Sequence, residues 1–198
     1  MGRKRWLLLG TAAVLACVFA AGLTASQLGS GPRPPDVEAL ASATRTAPMI
    51  RLDDIAAGNG LPARGVFAQI TSIGQFCLWD APSRSSNAKG GGCNPVDDPL
   101  GGHPLSASFA YDGGPAPADV KDARLIGLVA SNVARVEVVM GDGSRLKLML
   151  RHVPEPVGDF FVFAHRFGRG QLAHGVTPTA VVALDADGNE IDRQATGF

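Results

Sequence analysis

The residues equipped for chemistry are few: Cys77 and Cys93, four histidines, and acidic clusters at Asp97-Asp98 and Asp185-Ala-Asp-Gly-Asn189. The two cysteines are an even pair outside the apolar leader, which is what a disulfide needs and what an oxidising compartment preserves. A bridge between them would close a Ser-, Gly- and Lys-containing stretch, residues 80–92, that has no core pattern of its own. Zinc wants four ligands with closely spaced pairs, and two lone thiols do not supply them, so no metal and no other cofactor is expected.

The histidines, His103, His152, His165 and His174, stand far apart, with no pair at i, i+2 or i, i+4. A Ser/His/Asp triad is recognised by geometry and not by order, but the Gly-x-Ser-x-Gly elbow that would present a nucleophile is missing. Lys89-Gly-Gly-Gly92 has the wrong order for a phosphate-cradling loop and reads as a flexible one. In Asp185-Ala-Asp-Gly-Asn189 the first calcium-ligand place is taken by Ala183 and the closing glutamate is missing, so a hairpin turn accounts for Asp and Gly. Asp97-Asp98 reads the same way. No catalytic residue is assigned.

The elements that would position these residues begin with the leader. Met1-Gly-Arg-Lys-Arg5 precedes an uncharged apolar run over residues 6–25, a basic cap and apolar stretch of the kind the export machinery reads. As a helix the run spans about 30 Å, the thickness of a bilayer core, which favours a retained anchor. Small residues near Ala25 also permit cleavage, and Val14-Leu-Ala-Cys17 loosely resembles a lipobox. Residues 1–28 are thus a signal sequence or membrane anchor, residues 29–48 a proline-rich linker reading as a spacer, and residues 49–198 an extracytoplasmic domain. Lys and Arg total 18, as do Asp and Glu; setting aside Arg3, Lys4 and Arg5 leaves 15 against 18, a net charge of −3. Such a surface lacks the basic footprint of a nucleic-acid binder.

From Met49 onward, short β-branched and aromatic runs alternate with Gly, Pro and Asp clusters. Strands are predicted at residues 66–73, 75–79, 106–111, 125–129, 133–140, 145–152, 159–164 and 179–184, and a helix at residues 116–124. An all-β fold follows, an antiparallel β-sandwich of Ig-like architecture.

Two hairpins can be read to register. A two-residue Asp142-Gly143 loop would oppose Lys147 to Val138 and mix the two faces, whereas a three-residue loop, residues 141–143 with Gly143 left-handed, opposes Val138 to Leu146, Val136 to Leu148 and Glu137 to Lys147. The three-residue loop is therefore predicted. At Asp187-Gly188 a two-residue loop places Leu184 opposite Ile191.

The hairpins over residues 133–150 and 181–193 each have a Val-rich strand, an Asp-Gly turn and a returning strand, and with the phrases Leu125-Ile-Gly-Leu-Val129 and Val182-Ala-Leu-Asp-Ala-Asp-Gly188 they resemble the β-sandwich domains of actinobacterial envelope proteins. The resemblance covers residues 120–198 and implies an envelope location without carrying over any catalytic residue.

The run Asp159-Phe-Phe-Val-Phe-Ala164 has apolar residues on both faces of a strand, one more face than a sandwich strand needs. If Phe160 and Val162 are core, Phe161 and Phe163 lie outside beside Val139 and Met149. There they either meet a cover, from the helix at 116–124 or the Cys-closed loop, or form a surface for an envelope protein or for self-association. The function expected is an envelope-associated binding or structural module, tethered to the membrane through its N-terminal helix with the C-terminus outside, or secreted. The alternative is a secreted hydrolase whose site assembles from distant residues.

Overall fold

A computed structural model of the chain describes residues 48–84, 90–113, 119–153, 157–173 and 176–197, together with Ala39, Ser42 and Ala43. The leader and most of the linker lie outside these, and among the described residues no helix is long and apolar enough to cross a membrane. The strands are β1 (Ile50–Ile55), β2 (Arg64–Ile70), β3 (Gln75–Ala81), β4 (Gly90–Pro95), β5 (Leu105–Gly113), β6 (Val120–Ala130), β7 (Arg135–Met140), β8 (Arg145–Leu148), β9 (Arg151–His152), β10 (Phe160–Phe167), β11 (Pro178–Leu184) and β12 (Glu190–Ala195). They form three antiparallel sheets of four, in the orders β1-β2-β3-β4, β5-β6-β10-β9 and β12-β11-β7-β8.

Strand alternation explains how the sheets stack. On β6, Leu125 and Val129 join Val136, Val138, Leu148, Val181 and Ala183 in a core against the β12-β11-β7-β8 sheet. Ile126 and Leu128, on the opposite face of β6, join Ile55, Val66, Ala68, Phe76 and Leu78 in a second core against the β1–β4 sheet. The sheet containing β6 and β10 is therefore the middle layer, buried on both faces. This is why residues 159–164 carry apolar side chains in both phases.

The hairpin at β7 and β8 has the predicted register, with Val138 opposite Leu146, Val136 opposite Leu148 and Glu137 opposite Lys147. Gly143 takes the left-handed conformation at φ 83° that such a loop requires. At the second hairpin the strand bodies keep the expected register, Ala183 facing Asp192 and Val182 facing Arg193, but a bulge puts Leu184 opposite Glu190 instead of Ile191. The cause is Asp185: its carboxylate accepts from the backbone N–H groups of Asp187 and Asn189 and from the Asn189 amide, widening the turn.

The predicted helix at residues 116–124 is overturned over its described part, since Val120–Ala130 is a strand in the middle of the fold; residues 116–118 lie outside the described set. Lys121-Asp-Ala-Arg124 has helical propensity, but pairing with β5 and β10 on either side outweighs it. Residues 90–92, expected to belong to a flexible loop, are the start of β4. Gly90 lies opposite Asp80, whose buried carboxylate occupies the place of a Gly90 side chain.

Cys77 and Cys93 are directly opposed on β3 and β4 and bonded to each other, their Cα atoms 4.0 Å apart. The sequence separation is 16, so the bridge restricts the unfolded chain by an amount worth about 3 kcal/mol in the loop-entropy picture. Reduction is expected to lower the melting temperature by roughly 6–12 °C for a domain of this size. Calorimetry with and without reductant checks it; equal melting temperatures would show that the β3–β4 pairing holds the loop unaided.

The free edge of β5 is closed by side chains of β12. The Gln194 amide accepts from Ala107 N–H at 2.8 Å and donates to Ala107 C=O at 3.1 Å, as a neighbouring strand would. Asp192 accepts from Leu105 N–H at 3.2 Å. An edge satisfied in this way no longer templates pairing with another chain.

Candidate functional site

On β6 the strand phase that supplies Ile126 and Leu128 to the second core also supplies Asp122 and Arg124. Those two charges are therefore carried inward, between the middle sheet and the β1–β4 sheet. Asp80 is 1 % exposed, Asp122 2 % and Arg124 4 %. Arg124 Nε donates to Asp80 Oδ2 at 2.6 Å, and its Nη1 donates to Asp112 at 2.8 Å and to Asp122. Arg64, at the head of β2, reaches the same Asp80 oxygen at 2.6 Å and the Asp80 carbonyl at 3.2 Å. Arg166 on β10 pairs with Asp122 at 3.0 Å and turns its Nη1 to the carbonyls of Ala56 and Pro62.

Three guanidiniums thus face three carboxylates, a neutral set drawn from five strands of two sheets. Burial by itself pushes the Arg124 guanidinium downward, but its hydrogen bond to Asp112 and the charges of Asp80 and Asp122 outweigh that and hold it above its ordinary range. Arg124 is therefore a permanent cation and no proton donor. A cleft of about 430 Å³ opens above it, lined by Arg64, Gly90, Phe109, Tyr111, Asp112 and Arg124. Asp112 is the exposed member of the set, its side chain 65 % accessible, so the mouth of the cleft presents a carboxylate over the arginines.

A second groove, of about 350 Å³, runs between β1 and β10 and is lined by Asp53, Asp54, Asn59, Met149, Arg151 and His165 among others. Asp53 is held by Arg151 at 2.8 Å. Burial pushes the His165 imidazole below the usual histidine range, and its ring lies edge-on to Phe167 at 4.8 Å. The neutral ring is the form the fold prefers, so its contribution to stability is complete above the unfolded value near 6.5 and is lost as pH falls through the lower folded value. An NMR titration of His165 is expected to show a midpoint below 6.5; a midpoint at or above it would contradict the burial.

The other singled-out residues disperse. His152 Nε2 lies 3.2 Å from Asp159 and its ring meets Phe161 edge-on, while His103 Nδ1 is 3.8 Å from Asp192. His174 lies outside the described residues. Asp98 Oδ1 accepts from Gly102 N–H, closing a turn. Among the described residues no group of three His, Cys, Asp or Glu side chains is placed to hold a metal ion.

The apolar patch is corrected. Phe163 is 0 % exposed and Phe161 packs against the first core, because a whole sheet covers that face of β10. Val139, beside Glu137, faces away from that core and is half-buried, and Met149 is 71 % exposed at the rim of the His165 groove. The four side chains form no common surface. The helical pattern of residues 116–124 hides the ionic set from a sequence reading. In strand phase, Asp122 and Arg124 fall in line with Ile126 and Leu128, and charges in step with a core face are the signal that marks them.

No family model matches this chain, and no curated protein or solved structure matches it.

Proposed function

We propose that this chain is an exported, envelope-associated binding or structural domain without catalytic activity, held outside the cytoplasm by its apolar leader, of the kind its resemblance to actinobacterial envelope proteins implies. The observation that carries the reading is the Cys77–Cys93 bridge, since such bonds persist in oxidising compartments and are rare in reducing ones. The fold reading that accompanies it is a β-sandwich in the Ig-like sense, each core enclosed by two antiparallel sheets, with a third sheet added. The ionic set supports a structural role: each of its three carboxylates, the buried Asp80 and Asp122 and the exposed Asp112, is paired with an arginine.

A secreted hydrolase would centre on the groove at His165, where Asp53 and Asp54 supply acids. Both acids are already paired, Asp53 with Arg151 at 2.8 Å and Asp54 with Arg51, which ties them down as structural groups. That favours the module.

The test is labelling of intact cells with a membrane-impermeant amine reagent, for which Lys121 and Lys147 are exposed targets. Modification without lysis is expected. Labelling only after lysis would place the domain inside and sink the proposal, and turnover of ester or glycoside substrates abolished by His165→Ala would replace it with the hydrolase.

A further inference from the structure

The two cores use both faces of the middle sheet and one face of the β1–β4 sheet, and the opposite face of β1–β4 lies away from both of the other sheets. A face so placed is ordinarily solvated and polar. Its centre on β2 and β3 is neither, although Arg51 and Asp54 on β1 are exposed at its rim. Phe67, Gln69, Cys77 and Ala81 share it by strand phase, opposite in sense to Val66, Ala68, Phe76 and Leu78, and they are 2 %, 1 %, 0 % and 0 % exposed. Trp79 lies across from Phe67 on the same face, its indole N–H donating to Gln69 at 2.7 Å. The disulfide is on this face too.

Two observations say what covers it. Met49, immediately before β1, is 8 % exposed and packs with Phe67 and Ala81, so the incoming chain already turns onto this face. Further upstream Ala43 is 6 % exposed while its neighbour Ser42 is exposed, so the chain ahead of Met49 is already enclosed on one side at residue 43. Five residues of chain lie between Ala43 and Met49, six Cα steps that reach at most about 20 Å, enough to span a face of about three residue pairs per strand.

We propose that the linker segment carrying Ala43 is seated on the outer face of the β1–β4 sheet, where it covers Phe67 and Trp79 and shields the Cys77–Cys93 bridge from solvent reductants.

The test uses the purified full chain in a Trp6→Phe background, so that Trp79 is the sole indole. Two readouts are taken under native conditions: the rate at which a phosphine reductant opens Cys77–Cys93, and acrylamide quenching of Trp79. Ala43→Arg places a charge on the buried side and is expected to raise the reduction rate about tenfold and to increase quenching, while Ser42→Arg changes neither. Ala43→Gln and Ser42→Gln are carried in parallel as a milder pair, so a failure of the arginine variant to fold still leaves a comparison. Equal rates and equal quenching within both pairs would overturn the proposal. Neither readout depends on where the cell keeps the protein, so a cytoplasmic location would defeat the proposed function and leave this inference standing.

Discussion

Replacing Arg124 with Ala is expected to destabilise the fold by about 3–5 kcal/mol, the scale measured when one partner is taken out of a buried ion pair. The side chain is 5 % exposed and binds three carboxylates, two of them as enclosed as itself. Without it, Asp80 keeps only Arg64 and Asp122 only Arg166 among the described residues, and each buried carboxylate must either bear its charge half-compensated or take up a proton. Lysine does not substitute, because a single ammonium has no planar fork to reach three acceptors on two sheets. Arg145→Ala provides the contrast: that arginine is 48 % exposed in its pair with Glu137, and its loss is expected to cost at most about 1 kcal/mol. Urea unfolding of both variants measures the difference. A cost below about 1 kcal/mol for Arg124→Ala would mean that water enters the set and hydrates its carboxylates.

The parts of the fold that could be read in advance were those decided by local chemistry. The loop at Gly141-Asp-Gly143 has one register that keeps Val136, Val138, Leu146 and Leu148 on a single face, and it is the register adopted. The Asp187-Gly188 hairpin was readable along its strands and not at its tip, because Asp185 gathers three hydrogen bonds that strand alternation does not reveal. Two strands escaped for opposite reasons. β1, Ile50-Arg-Leu-Asp-Asp-Ile55, has no aromatic residue and loses its alternation at Asp53-Asp54 because the strand is bulged there, and β4 opens on three glycines that look like flexible loop. Gly90 is there because Asp80 needs its space, a tertiary fact no local pattern carries.

The stacking of a third sheet was the larger gap, and it governs what became of the candidate site. Strand alternation tells that a strand has two apolar faces, but the same pattern fits a covered strand and an exposed binding surface. Only the partner sheet decides between them. The same applies to Asp122 and Arg124, whose place in the interior depends on residues 120–130 being one long strand. The cysteine pair was legible because parity and compartment suffice to suggest a bridge, and the opposition of Cys77 and Cys93 across β3 and β4 then makes it geometrically direct.

Phe163 turns that difference into an experiment. Its ring lies over Gly127, the central residue of Leu125-Ile-Gly-Leu-Val129, in a space that a side chain at 127 would fill. Phe163→Ala is expected to cost about 3–5 kcal/mol, the range for removing a fully enclosed aromatic ring. Changing Phe161 and Phe163 together to Ser should prevent folding outright, since two hydroxyls would then replace rings in the first core. Gly127→Ala should be nearly as harmful as Phe163→Ala although it adds a single methyl group, because that methyl would meet both the Phe163 ring and the Ser106 carbonyl. The double change Gly127→Ala with Phe163→Leu is then expected to be less damaging than the two single costs added together, because the smaller side chain makes room for the methyl. Chemical denaturation of these four variants and of Phe163→Leu alone decides the matter. A stable, folded double-serine variant would return the two rings to the surface, and strictly additive costs at 127 and 163 would show that the ring and the glycine do not share the space the structure gives them.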